Sequence, residues 1–264
     1  MRFCLLGAAL LLPPRAAATA TETEGWQLLA GYLYRDAFEA FERAPAGSRA
    51  RELGLAASLL NHPPVTGGKI ATAEDRLRGL IAADGTDDTA MYARLLLARI
   101  AHLHREAPMP EIEAAYRDVL RADPRHPAAQ IAASRLALVL LYQRPDLTVP
   151  QRLDQAAALA DMAGAAALPE AACAYYRNLA SAALFYEIRD DRVLAWLQQA
   201  DAIGSEDPIV AANLRIQLAE VARQLGRRAE AVAYYRRFLA SILPTDNRYL
   251  TARERMQELE RTAP

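Results

Sequence analysis

The sequence predicts an all-α chain, an α-solenoid of about five to six antiparallel helix pairs closed by a C-terminal capping helix. Three observations predict it. Beyond residue 20, prolines stand where helices should begin or end, as at Pro127, Pro150, Pro169, Pro208 and Pro244, and none interrupts a long helical pattern. Strand signals are weak, because the best of them, Val139-Leu140-Leu141-Tyr142, continues a helical run of Ala and Leu. Large residues recur at Phe41, Leu77, Tyr116, Leu197 and Tyr235, with intervals of 36, 39, 81 and 38. The 81 is two steps, with Ala157 near the missing place, so the period is that of stacked helix pairs.

The elements follow in order. Met1-Arg2, the apolar run Phe3–Leu12 and the series Ala16-Ala17-Ala18-Thr19-Ala20 have the basic start, short apolar centre and Ala-x-Ala end of a secretory signal peptide. Residues 1–20 are therefore set apart from the domain 21–264, with cleavage expected after Ala18 or Ala20. The apolar run is too short to span a bilayer, which needs about 20 residues. The mature protein is expected in the periplasm or the medium of a bacterial cell, and not as a transmembrane protein.

Trp26, Leu29 and Leu33, then Ala37 and Phe41, predict helices over 24–34 and 36–44. Further helices are expected over 47–61, 70–83, 87–105, 109–122, 127–143, 150–163, 169–188 and 190–202. The segment Asn61–Gly68 reads as a loop. Pro208–Leu225 and Gly226–Pro244 form the best-marked pair. Gly226 suits a left-handed helix end, while Ala231, Tyr235 and Phe238 share one face. The charged segment 246–261 suits a solvated cap.

The spacing of Gly226, Ala231, Tyr235, Phe238 and Pro244 resembles the second helix of a tetratricopeptide repeat (TPR). Leu218-Ala219 stand where that family has Leu-Gly, Ala222 stands for its Tyr, and Arg215 for its Trp. The resemblance covers most of residues 24–245, and it is strongest at 109–124 and 226–244. It implies a right-handed superhelix whose first helices line a groove that takes a protein or peptide segment. Polar residues on those helices are Arg94, Arg135, Arg177, Asn178, Asn213, Gln217, Glu220 and Arg223. The pair Arg177-Asn178 stands out, because Arg grips carboxylates and Asn reads backbone amides. The family's Lys and Asn carboxylate clamp is not reproduced.

No catalytic pattern is present. Val65-Thr-Gly-Gly-Lys69-Ile70 lacks the first glycine and the hydroxyl residue of a phosphate loop. His102 and His104 point about 200° apart on a helix and cannot share a metal. His62 and His126 flank helix ends, and Glu187, Asp190 and Asp191 gather at a junction where Asp caps a helix. Cys173 reads as a small buried residue. Acidic and basic residues nearly cancel, at 32 against 31, which excludes a nucleic-acid surface of clustered charge. Only Lys69 is a lysine. The expectation is a non-enzymatic exported adaptor without cofactor. The alternative is a structural subunit of a membrane-associated envelope assembly that uses outer residues such as Trp196. A third reading is an enzyme whose site forms only on folding.

Overall fold

A computed structural model describes residues 19–164 and 167–261, and among them every regular element is an α-helix. Residues 1–18, most of the expected signal peptide 1–20, lie outside the described residues. The chain forms two compact units divided after Ala132. In the first stand α1 (Ala20–Ala30), α2 (Tyr34–Arg43), α3 (Arg49–Asn61), α4 (Gly67–Ala83), α5 (Asp88–Leu103) and α6 (Met109–Ala122). The helix α7 (Pro127–Tyr142) carries the division. The second unit holds α8 (Val149–Ala157), α9 (Ala160–Ala163), α10 (Pro169–Phe185), α11 (Asp191–Ile203), α12 (Pro208–Gln224), α13 (Arg228–Ser241) and α14 (Tyr249–Arg261).

Among the differences from the expected boundaries, three have a visible cause. The first helix begins at Ala20 instead of 24, because Thr19 and Glu22 close a reciprocal cap: the Glu22 N–H donates to Thr19 Oγ1 and the Thr19 N–H donates to Glu22. The loop expected over 61–68 ends early, since the Thr66 hydroxyl accepts the Lys69 N–H and starts α4 at Gly67. The expected helix 150–163 is broken between α8 and α9. There the Tyr175 hydroxyl donates to the carbonyls of Ala156 and Ala157, at 2.8 and 3.2 Å, and so satisfies groups the helix leaves open.

In the first unit α1 packs on α2, α3 on α4, and α5 on α6. Their short connections make pair members antiparallel neighbours. α2 also packs on α3, and α4 on α5, while α1 touches α3 and α3 touches α5. The first helices thus form a row, with the second helices behind it. Phe41 anchors the start of this array. Its ring meets Trp26 edge to face at 5.1 Å, and the backbones of Gly25 and Gly54 press against it from α1 and α3. A Cβ at Gly25 would sit 2.8 Å from that ring, and one at Gly54 closer still. In the second unit α10 packs on α11, α12 on α13, and α14 on α13. All five recurrent large residues, Phe41, Leu77, Tyr116, Leu197 and Tyr235, are completely buried.

Gly226 ends α12 as expected. It has φ 71°, and the N–H groups of Gly226 and Arg227 return to the carbonyls of Arg223 and Ala222 at 3.1 and 2.8 Å. This is the double bond pattern of a glycine-terminated helix.

The period seen in the large residues recurs in polar ties. Arg49 binds Asp87 and His126 binds Asp88, each across 38 residues. In the second unit Arg192 binds Asp154 across 38 residues, while Arg227 binds Asp191 and Arg237 binds Asp201 across 36. Each tie joins one helix pair to the same place on the next.

Candidate interaction surface

The residues expected to face a ligand fall into separate settings. Arg94, on α5, donates to Asp118 at 3.0 Å and to the Gly85 carbonyl at 3.4 Å. It therefore ties α5 to α6 and to the loop ahead of α5. Arg135 lies half-buried on α7. Arg177 and Asn178 are adjacent on α10, both half-buried. Arg177 lies one turn beyond the buried Cys173, whose thiol is pushed up by burial against the pull of that guanidinium. A thiol so placed is an inert structural cysteine.

The remaining four lie on α12. Asn213 is exposed, and its Oδ1 accepts from Arg248 at 2.6 Å. Gln217 is half-buried one turn further on. Glu220 and Arg223 belong to a network that the sequence reading did not contain. The Glu220 carboxylate accepts from the Tyr235 hydroxyl and from Arg255, both at 2.5 Å, and from Arg223 at 3.0 Å. It thereby joins α12 to α13 and α14. Burial pushes the Glu220 pKa up, but the bonds from Tyr235, Arg255 and Arg223 outweigh it and hold the carboxyl below its ordinary value. Burial, and then the bond it donates to Glu220, drive Tyr235 well above a normal phenol.

The structure thus brings Glu220 and Arg223 together, and Arg177 with Asn178, and gives Arg94, Asn213, Glu220 and Arg223 partners within the chain. Arg255 was legible only as part of a charged cap. Nothing in the spacing of a solvated helix says that one of its arginines reaches back two helices.

The groups weighed for chemistry also have local roles. His102 Nδ1 meets the Tyr116 hydroxyl at 3.1 Å. His126 accepts the Ala128 N–H at Nδ1 and meets Asp88 at Nε2, which makes it a cap for α7. Asp190 caps α11 by accepting from the N–H groups of Arg192 and Val193. Among the described residues no three His, Cys, Asp or Glu side chains gather as a metal site, and no helix is long and apolar enough to cross a membrane.

No family model and no curated protein matches the chain. Among solved structures it is similar to a thermophilic TPR protein of Thermus thermophilus. The identity is 21% over 81% of this chain and 99% of that one, with a TM-score of 0.42. The helix pairs, their buried large residues and the ties that repeat with them make the fold of this chain an all-α helical repeat.

Proposed function

We propose that the chain is an exported, non-enzymatic scaffold that holds a protein or peptide segment along its first helices. The observation that carries this reading is the row those helices form, α1 against α3 and α3 against α5, with their partners packed behind. A row of parallel helices presents a repeating set of side chains to an extended ligand, which is how stacked helix pairs bind. That row lies in the first unit; in the second unit the residues suited to contact a ligand are Arg177 and Asn178 on α10 and Gln217 on α12. All three are half-exposed, and none of them forms an ion pair among the described residues. Arg177 suits a carboxylate of the ligand and the two amides suit its backbone. Export is read from residues 1–20, and it places the partner in the bacterial envelope or outside the cell.

Site-specific photo-crosslinking tests the reading. A crosslinker at position 178 or 217 of the exported protein is expected to trap one partner. Arg177→Glu combined with Asn178→Ala should weaken that partner's binding about tenfold, as loss of a central charged contact does. Trapping from position 196 alone moves the contact to the outer helices and favours the structural-subunit reading. Trp196 is half-exposed there with the Arg192 guanidinium 5.9 Å from its ring. A protein that traps nothing from any of the three positions sinks the scaffold reading.

A further inference from the structure

Glu22 is the residue that neither the repeat nor the proposed surface explains. Carboxylates are almost never fully buried without a charged partner, yet Glu22 is only 2% exposed. Its hydrogen-bond donors are all neutral. They are the Thr19 N–H at 2.7 Å, the Ser48 and Thr19 hydroxyls and the Arg51 N–H. Ser48 caps α3 and Thr19 caps α1, so the carboxylate lies at the positive ends of two helices. Burial pushes its pKa up, and the bonds from Ser48 and Thr19 more than reverse this. Among the described residues no cation pairs with this buried anion.

The nearest nitrogen is that of Thr19, and Thr19 follows directly on the leader. Residues 16–20 contain two overlapping Ala-x-Ala triplets, Ala16–Ala18 and Ala18–Ala20. The two cuts they allow have opposite effects on the fold. Cutting after Ala20 removes Thr19, and with it both hydrogen bonds of the cap, inside the first turn of α1. Cutting after Ala18 leaves Thr19 in place, in extended backbone of φ −65° and ψ 163° just before the helix.

We propose that leader removal hydrolyses the Ala18–Thr19 bond and that the new Thr19 ammonium forms an ion pair with buried Glu22, clasping the starts of α1 and α3. The inference rests on the export reading above. A leader peptidase supplies the catalysis and water adds across the bond: Ala18 departs as a carboxylate, and Thr19 keeps its nitrogen as an ammonium. The amide N–H that already reaches Glu22 becomes a charged donor in the same place. Charge-assisted bonds of this kind are about twice as strong as neutral ones. The ammonium opposes the dipole of α1 alone, whereas the carboxylate beside it is favoured by two helices. Processing therefore tightens the first unit without moving a residue.

The full chain expressed in a secreting host tests the cut by intact mass and N-terminal sequencing. The expected first residue is Thr19. A start at Thr21, or at any other processed position, overturns the inference and leaves export standing. A chain that keeps Met1 overturns the export reading and the inference with it. The ion pair has its own test, in which the mature protein is carbamoylated at its α-amine near neutral pH. Lys69 carries the only other amine, and its higher pKa protects it. The blocked protein should melt roughly 2–4 °C below the free one, and the same modification of a Glu22→Gln protein should produce no shift. Equal melting of free and blocked wild type overturns the ion pair, whatever the variant does.

Discussion

At the scale of single residues, one glycine and one arginine hold the first unit in place. Gly54 has no room for a side chain because the Phe41 ring lies against it, whereas Gly79, exposed on α4, has nothing within 4 Å. Gly54→Ala should therefore destabilise by about 1–3 kcal/mol through overpacking, while Gly79→Ala should stabilise by about 0.5–1 kcal/mol. Urea unfolding of both variants checks the opposite signs. Arg49 donates twice to Asp87, at 2.8 Å each, and once each to the carbonyls of Leu80 and Asp84 at 3.0 Å. An ammonium cannot reproduce that fork. Arg49→Lys is expected to cost about 1–2 kcal/mol in the same assay. A loss no larger than that of a solvated arginine on α14 would show that the fork contributes nothing beyond its charge.

At the scale of elements, the helices were legible in the sequence because their ends are chemical. Gly226 reads as a left-handed terminus and has φ 71°. Ala231, Tyr235 and Phe238 read as one face and are all completely buried. The start of α1 was written just as plainly, in Thr19-x-x-Glu22, but those residues also look like the end of a leader, and the two signals overlap. The break between α8 and α9 was not legible, since its cause is Tyr175, eighteen or more residues away. The Glu220 network escaped for the same reason, as it depends on side chains meeting from three helices. Its effect on the last helix can be measured. The folded carboxyl is held below its ordinary value of 4.5, so its stabilisation is present above that pH and is lost as pH falls through the lowered value. Amide exchange of α14 should accelerate as pH drops below about 4.5, after correction for intrinsic rates. Glu220→Gln should show the faster exchange already at neutral pH.

At the scale of the molecule, the period matters more than any one contact. Surface ion pairs add little stability, yet these each span 36 or 38 residues, close to the interval between the buried large side chains. Their effect is to hold each helix pair in register with the next. Changing Asp154, Asp191 and Asp201 to Ala together should lower the salt dependence of unfolding of the second unit, because screening has three fewer ties between helix pairs to weaken. A urea midpoint that falls with added salt as steeply in the triple variant as in the wild type would show that the ties are ornamental. Phe41 has a consequence of a different kind. Its slot has three walls, at Trp26 and Gly25 on α1 and at Gly54 on α3. A chain that emerges N-terminus first has no third wall until α3 has followed. The first pair can collapse earlier, but it has nothing to lock against, so the earliest committed piece of this protein is one helix longer than its repeat.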